Sequence, residues 1–597
     1  MYKPTPPREK KTKITRSRTG CKGCRQRRVK CDENKPCGAC TRLGRTCEVI
    51  GPSFDFRNAF VVPNNSSTSL WRPKPLRVVY AKDSLAPASV AHNTDNAENQ
   101  PDQTFANRID DDLDQTTRPS ISHTSLSPNP LPGPVVVKSL NRSENEHFYI
   151  THWDKSCLSA LDGSFERFTT LAINYTPLKH ALLALSACNL SRIWPESDTF
   201  SPAMTGYRPH RNHQAASQYY YSSAVGQVAR VINQVSLPSP TNTLAALILF
   251  CYLESTMGNF TAFQFHADGI AKFMQVKFAE IPPDIGNQLL AAWILARYQN
   301  WWRRMNYSSF SFQRAQSSLR PTEEVAKSLF SVSAKRAIVV SILCESYRIH
   351  TIRVLKLWAD PKQISDPKAE NYIALLDYES QKLEDWHSTL MDSELPIECS
   401  SHVEPSAKNG LLPLVFESHD SAMNYAYYVV SRIMQCTDIL YQQLPRSEYI
   451  QEKKEETISH WTRLLVRITI GLDVTECAKK NVYSIGVSSL LMACLLRCHD
   501  QEIGQWIEHW LQRWKELNVL EEGSFPIAQV LQVATLVNKE RSIGNYIYHI
   551  GLPEDDGGGS GKYASYNSQH VDTLVVKGMR SELGLLYSET LSIAVGQ

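Results

Sequence analysis

From about residue 143 onward, apolar residues recur at the 3.6-residue period of α-helices. Thr176-Pro177 reads as an N-cap and first-turn proline, followed by Leu178, Leu182 and Leu185 at i, i+4 and i+7. Leu237-Pro238-Ser239-Pro240 breaks the chain before Thr243 and the apolar run Leu244–Leu253. That run is about half of what a bilayer requires, so it predicts a buried helix and no membrane span. Pro282, Pro283 and Asp284 open a helix carrying Ile285, Leu289, Ala292 and Trp293. Further helical segments are expected over 323–358, 366–390, 416–443, 452–476, 482–519 and 568–594. Strands and helices do not alternate regularly, which argues against a parallel sheet, and no fixed repeat appears. The expectation is a mainly α chain with a large all-α domain over 143–597.

Upstream the pattern changes. Residues 51–80 hold Phe54, Phe56, Phe60, Val61, Val62, Trp71, Leu76, Val78 and Val79, broken by Pro63, Pro73 and Pro75. This reads as extended chain, and the prolines forbid a long helix. No a/d heptad exists there to pair two chains as a coiled coil. Residues 81–140 are rich in Ser, Asn, Asp, Gln, Thr and Pro, too polar to offset ordering entropy. Residues 51–142 are therefore expected to be an extended and disordered linker. Asp110, Asp111, Asp112 and Asp114 around Leu113 read as solvated linker charge, ahead of an acidic activation patch.

Charge sharpens the division. The whole chain of 597 residues carries only +4. Residues 1–50 hold 15 Lys and Arg against 4 Asp and Glu, a net of +11, and the rest hold 49 against 56, a net of −7. Six cysteines lie within the basic segment: Cys21, Cys24, Cys31, Cys37, Cys40 and Cys47, spaced C-x2-C-x6-C-x5-C-x2-C-x6-C. Each C-x2-C puts two thiolates on one turn. Zinc takes four ligands, so two ions require eight bonds. Six thiolates supply eight only if two of them bridge, which fuses the ions into one cluster. The metal then supplies folding free energy that so small a segment lacks. Arg25, Arg27, Arg28 and Lys30 lie between Cys24 and Cys31, preceded by Arg8, Lys10, Lys11, Lys13, Arg16 and Arg18. A compact, metal-clamped, basic module in a mildly acidic chain is the footprint of phosphate binding.

Residues 17–50 resemble the fungal Zn2Cys6 binuclear-cluster DNA-binding domain. The resemblance rests on the six cysteines, Cys24-Arg25, the basic run ending Lys30-Cys31-Asp32, Pro36 before Cys37, and Gly44 before Cys47. It implies two zinc ions bridged by Cys21 and Cys37, with short helices following those two residues. It also implies that the first helix reads a CGG triplet in the major groove. Arg27 and Arg28 stand where the family often has two lysines; a guanidinium fork suits guanine O6 and N7. Arg25 and Lys30 are expected on phosphates, with Arg16 and Arg18 completing the DNA-binding set from a basic arm over 1–16 and its continuation. Glu146–Gln275 resembles the fungal-specific transcription-factor regulatory domain, through Leu182-Leu183-Ala184-Leu185-Ser186-Ala187-Cys188 and the Ala215–Tyr221 segment before Leu244–Leu253.

Other chemistry is hard to find. Cys157, Cys188, Cys251, Cys344, Cys399, Cys436, Cys477, Cys494 and Cys498 show no ligand pattern and read as reduced thiols. Cys494, Cys498 and His499 are expected to be ordinary residues of a core helix. Gly557 to Lys562 misses the phosphate-loop pattern, because Asp556 replaces its first Gly and Tyr563 its Ser/Thr. His210 and His213 read as solvated, and Trp301-Trp302-Arg303-Arg304 as a half-buried helix end. The N-terminus shows no apolar signal core, which disfavours secretion. No catalytic set assembles, so an enzyme is not expected. The expectation is a nuclear, RNA polymerase II-type transcription regulator reading CGG-containing double-stranded DNA and controlling a fungal metabolic or secondary-metabolite gene set. Expected partners are the transcription machinery or co-regulators, with a homodimer formed through the helical domain. The alternative is a ligand-responsive receptor-type regulator or repressor whose helices hold a small molecule.

Overall fold

The structure is a computed structural model. It describes residues 24, 27, 29, 32, 34, 36–44 and 47, then 142–161, 163, 165, 166, 168–172, 174–197, 207–232, 239–315, 334–359, 369–397, 411–436, 448–523, 525–553, 573–580 and 584–593. The expectations for residues 51–80 and 81–140, and the Gly557–Lys562 segment, lie outside these residues.

Among the described residues, thirteen helices of eight residues or more follow one another. They are α1 (Arg142–His152), α2 (Thr176–Ile193), α3 (Arg211–Val231), α4 (Pro240–Thr256), α5 (Phe260–Lys277), α6 (Pro283–Asn306) and α7 (Lys335–Ala359). Then come α8 (Ala369–His387), α9 (His419–Gln435), α10 (Glu448–Gly471), α11 (Val487–Leu495), α12 (Gln501–Glu516) and α13 (Ile527–Ser542). The mainly α expectation holds.

Local chemistry sets the boundaries. Ser239 caps α4 by accepting the Asn242 N–H, and Pro240 occupies its first turn. Asn259 caps α5, Ser418 caps α9 and Asp500 caps α12 in the same way. Helix α2 begins at Thr176, so its cap position is Tyr175 rather than Thr176, with Pro177 inside the first turn. Leu178, Leu182 and Leu185 are buried as the periodicity predicts.

Helix α4 is apolar on every side, and all residues from Thr243 to Thr256 are buried. Such a helix needs neighbours all round, and α2, α5 and α6 provide them. Helix α7 packs on α6, α8 and α9, and α13 packs on α11 and α12. One continuous apolar core runs from Phe260 to Ile593.

Three expectations need correction. Residues 568–594 are not helical: β2 (Thr573–Arg580) pairs antiparallel with both β1 (Asn545–Gly551) and β3 (Leu585–Ser592). Leu574 and Val576 turn into the core there. His213 is not solvated but fully buried, with Nδ1 3.1 Å from the Tyr149 hydroxyl and its ring against Phe148 and Trp194. Trp301 to Arg304 are all buried, with Trp302 Nε1 donating to Ser489 Oγ at 3.2 Å. The Arg304 guanidinium lies 3.9 Å from the centre of the Phe312 ring, which lets a cation sit in the core.

Candidate metal centre and nucleic-acid interface

The second half of the cysteine module is built on a one-turn helix, Gly38–Thr41. Cys37 is its N-cap, in extended conformation, and its Sγ accepts the Cys40 N–H at 3.4 Å. The Cys37 N–H donates to Cys47 Sγ at 3.3 Å. Such N–H donors favour the thiolate form that a metal needs. Asp32 reaches the same helix: its Oδ2 accepts the Gly38 N–H at 2.8 Å. Gly44 turns the chain back toward Cys47 at φ +58°, a conformation glycine adopts without strain.

Cys24, Cys37 and Cys40 are fully buried, and their Sγ atoms lie within 4.8 Å of one another. Cys24 Sγ and Cys37 Sγ are 3.6 Å apart. Two thiolates bound to one tetrahedral zinc at ~2.3 Å lie about 3.8 Å apart, so the spacing suits shared coordination. No disulfide joins these three cysteines. The residues present fit a zinc cluster. Cys21 and Cys31 lie outside the described residues.

Arg27 is half-buried, and its Nη2 lies 3.8 Å from both Cys24 Sγ and Cys40 Sγ. Its guanidinium is thus turned toward the sulfurs. Sequence reasoning places Arg27 beside Arg28 as a reader and misses this contact. The Cys24 contact is legible as i, i+3 on a helix, but Cys40 is thirteen residues away. Arg25, Arg28, Lys30, Arg16 and Arg18 lie outside the described residues.

Elsewhere the chemistry is subdued. Among the described residues, no other group of three His, Cys, Asp or Glu side chains converges as a metal site would require. Cys494 lies on α11, but Cys498 and His499 follow its end at Leu495 and so do not share a core helix as expected; both cysteines are buried, and the His499 ring stacks on Tyr546 at 4.4 Å. Burial pushes the Cys157 and Cys188 thiols up to about 12, so they stay protonated and unreactive at neutral pH. No helix among the described residues is long and apolar enough to cross a membrane.

Comparison with known proteins agrees with this picture. Residues 19–55 match the fungal Zn(2)-Cys(6) binuclear cluster domain, and residues 159–531 match the fungal specific transcription factor domain. The second match covers more than half of the chain. The chain therefore belongs to the fungal Zn2Cys6 transcription factors, which act as regulators of transcription, not as enzymes, and whose cluster domain binds two zinc ions and DNA. The transcriptional regulatory protein moc3 of Schizosaccharomyces pombe is 39% identical over 97 residues, 16% of this chain and 18% of that protein. Transcription factor lfc1 of Flammulina velutipes is 49% identical over 49 residues, 7% of this chain and 17% of that protein. Transcription activator AMTR1 of Alternaria alternata is 43% identical over 67 residues, 11% of this chain and 8% of that protein. These matches span less than a fifth of each relative's length. No solved structure matches the chain.

Proposed function

We propose that the chain is a nuclear regulator that reads CGG-containing duplex DNA through residues 17–50 and answers to its helical region, residues 143–597, across a linker at 51–142. The observation that carries this reading is the convergence of Cys24, Cys37 and Cys40 beneath a short helix capped by Cys37. Cys21, Cys24, Cys31, Cys37, Cys40 and Cys47 hold the two zinc ions, with Cys21 and Cys37 shared between them. Two Zn2+ and six thiolates sum to a net charge of −2, and Arg27, close to two sulfurs, offsets part of it. In this reading Arg28 is the main base reader, through guanine O6 and N7. Arg25, Lys30, Arg16 and Arg18 hold phosphates. A homodimer forms through the helical region, and the target set is fungal metabolic genes.

Mobility shift of the full chain on CGG and scrambled duplexes, across a salt series, tests this. Arg28→Ala is expected to lose ~1–3 kcal/mol of preference for CGG. Arg25→Ala is expected to weaken both duplexes alike and flatten the salt dependence. Equal weakening of both duplexes by Arg28→Ala would refute the assignment of base and phosphate roles.

A further inference from the structure

Three buried arginines of the helical region invite comparison. Arg192 turns its Nε and Nη2 edge onto the carboxylate of Glu521, with Nε 2.6 Å from Oε1. Arg348 turns the same edge onto Glu345, at 2.8 and 2.7 Å. That edge matches the spacing of two carboxylate oxygens. Arg497, 1% exposed, presents the same edge to no acceptor: Nε and Nη2 are both unpartnered. Its Nη1 is occupied by the carbonyls of Leu496 at 3.1 Å and Tyr548 at 2.6 Å. Its guanidinium stands 5.6 Å from the centre of the Tyr347 ring. The titratable groups that act on it are Tyr347, Cys494 and Tyr548, none of them an Asp or Glu, and burial keeps Tyr347 and Cys494 protonated.

The surroundings extend the pattern. His350 lies one turn along α7 from Tyr347, is fully buried, and bonds through neither ring nitrogen. Arg497 and His549 both act on it electrostatically. His549, on β1 and also fully buried, pairs Nε2 with Gln313 Oε1 at 2.6 Å and leaves Nδ1 unpartnered. Burial holds both imidazoles well below the usual histidine range, so they are neutral. Arg497 Nε and Nη2, both nitrogens of His350 and Nδ1 of His549 are thus all buried and unanswered.

A buried guanidinium without a counter-charge is strongly unfavourable. Ordered water can answer a donor, but it brings no charge. Lys577 also acts on His549, but its Nζ donates to Ser588 Oγ at 3.3 Å; Arg497 presents one open two-nitrogen edge, which matches the two oxygens of one carboxylate. We propose that α7, the chain just after α11, and β1 together enclose a binding site for a carboxylate monoanion, with the Arg497 edge as its fork and His350 beside it. A small carboxylic acid held there ties α7 to the sheet. This goes beyond the DNA-binding reading and does not depend on it.

The test uses the full zinc-loaded chain in a bulky sulfonate buffer at constant ionic strength. Thermal unfolding is followed while formate, acetate or chloride is added. Ligand that binds only the folded state raises Tm in a saturable way. Formate or acetate is expected to do so in the wild type. Arg497→Gln is expected to weaken the apparent affinity at least about tenfold, the scale of one lost charge-assisted contact, and His350→Gln several-fold. If no carboxylate gives a saturable rise, if both variants keep it unchanged, or if chloride alone produces it, the proposal is overturned. Should Arg497→Gln fail to fold, His350→Gln decides, together with the 13C line width of labelled formate. Broadening by the wild type that His350→Gln reduces supports the site, and an unbroadened line overturns it.

Discussion

Asp32 accepts the N–H of Gly38 at 2.8 Å, and Glu522 accepts those of Val487 and Ser488 at 2.9 and 2.7 Å. Each places a carboxylate where a helix begins, answering N–H groups that have no partner within the helix and facing its positive end. Asp32→Ala is expected to cost the cysteine module about 1 kcal/mol, read as faster zinc loss to a chelator, with Asp32→Asn recovering part. A second residue-scale prediction concerns the Tyr221 hydroxyl, which lies 2.5 Å from Glu254 Oε1 and 2.6 Å from His266 Nε2. Burial pushes the Glu254 carboxyl up to about 7 and the His266 imidazole down to about 4. Folded Glu254 keeps a proton that the unfolded chain releases near 4.5, so its contribution to stability falls as pH rises from 4.5 to 7. Folded His266 is already neutral while the unfolded chain is still losing its proton, so its contribution rises between pH 4 and 6.5. The two oppose each other in the wild type. Urea unfolding between about pH 5 and 6.5 should therefore show a more positive slope of stability against pH in Glu254→Gln than in His266→Gln. Equal slopes would mean that these groups titrate normally. Of such residues, the sequence discloses Cys24, Cys37 and Cys40, which converge in the fold, because the spacing that marks them is local. Glu522 escapes it, since the helix it caps begins 35 residues earlier, and nothing between them signals the approach.

At the scale of elements, α12 and α13 meet at Gly504. Its carbonyl accepts Asn538 Nδ2 at 2.9 Å, and an added Cβ would lie 2.3 Å from Asn538 Oδ1 and 2.6 Å from Arg541 Nη1. Arg541 in turn bonds the carbonyls of Leu495 and Cys498 at the end of α11. Gly504→Ala should help the helix by ~1 kcal/mol through propensity, yet crowding of ~1–3 kcal/mol should dominate. A net loss of up to about 2 kcal/mol in urea unfolding is expected, and a gain would show that the helices can separate freely. Helix α4 is legible from Ser239, Pro240 and its unbroken apolar run, and α6 from Pro282, Pro283 and Asp284 ahead of its apolar positions. The sheet is less so. Leu574 to Met579 and Leu585 to Leu591 are short stretches of mixed apolar and polar residues that suit either a helix or a strand. The useful signals are weaker: Val575 and Val576 in sequence, Gly578, and Gly584 before the next run. Gly578 faces Tyr587 across the ladder, and a Cβ there would lie 2.4 Å from that ring. A glycine so closely covered marks a strand interior, but its partner is not visible from local sequence.

For the whole molecule, charge is divided unequally, +11 in the first 50 residues and −7 in the other 547. The reader and the helical region therefore have different reasons to associate. Sedimentation of the full chain and of residues 1–140 should show self-association only in the full chain, since Pro63, Pro73 and Pro75 stand where a heptad run is needed. A stable dimer of residues 1–140 would refute this. The sheet at the C-terminal side carries a further consequence. Trp358 Nε1 of α7 donates to the carbonyls of Gly578 and Tyr587, at 3.0 and 2.9 Å, and the Leu552 N–H donates to the Ser308 carbonyl at 2.8 Å. Strands β2 and β3 thus close a core of which one wall, α7, lies more than two hundred residues earlier. A nonsense allele near residue 570 would keep the whole DNA reader and nearly all of the regulatory helices. It should nevertheless behave as a null in a genetic screen, because the open core exposes Trp358 and its neighbours to cellular quality control and the product is degraded before it reaches a promoter.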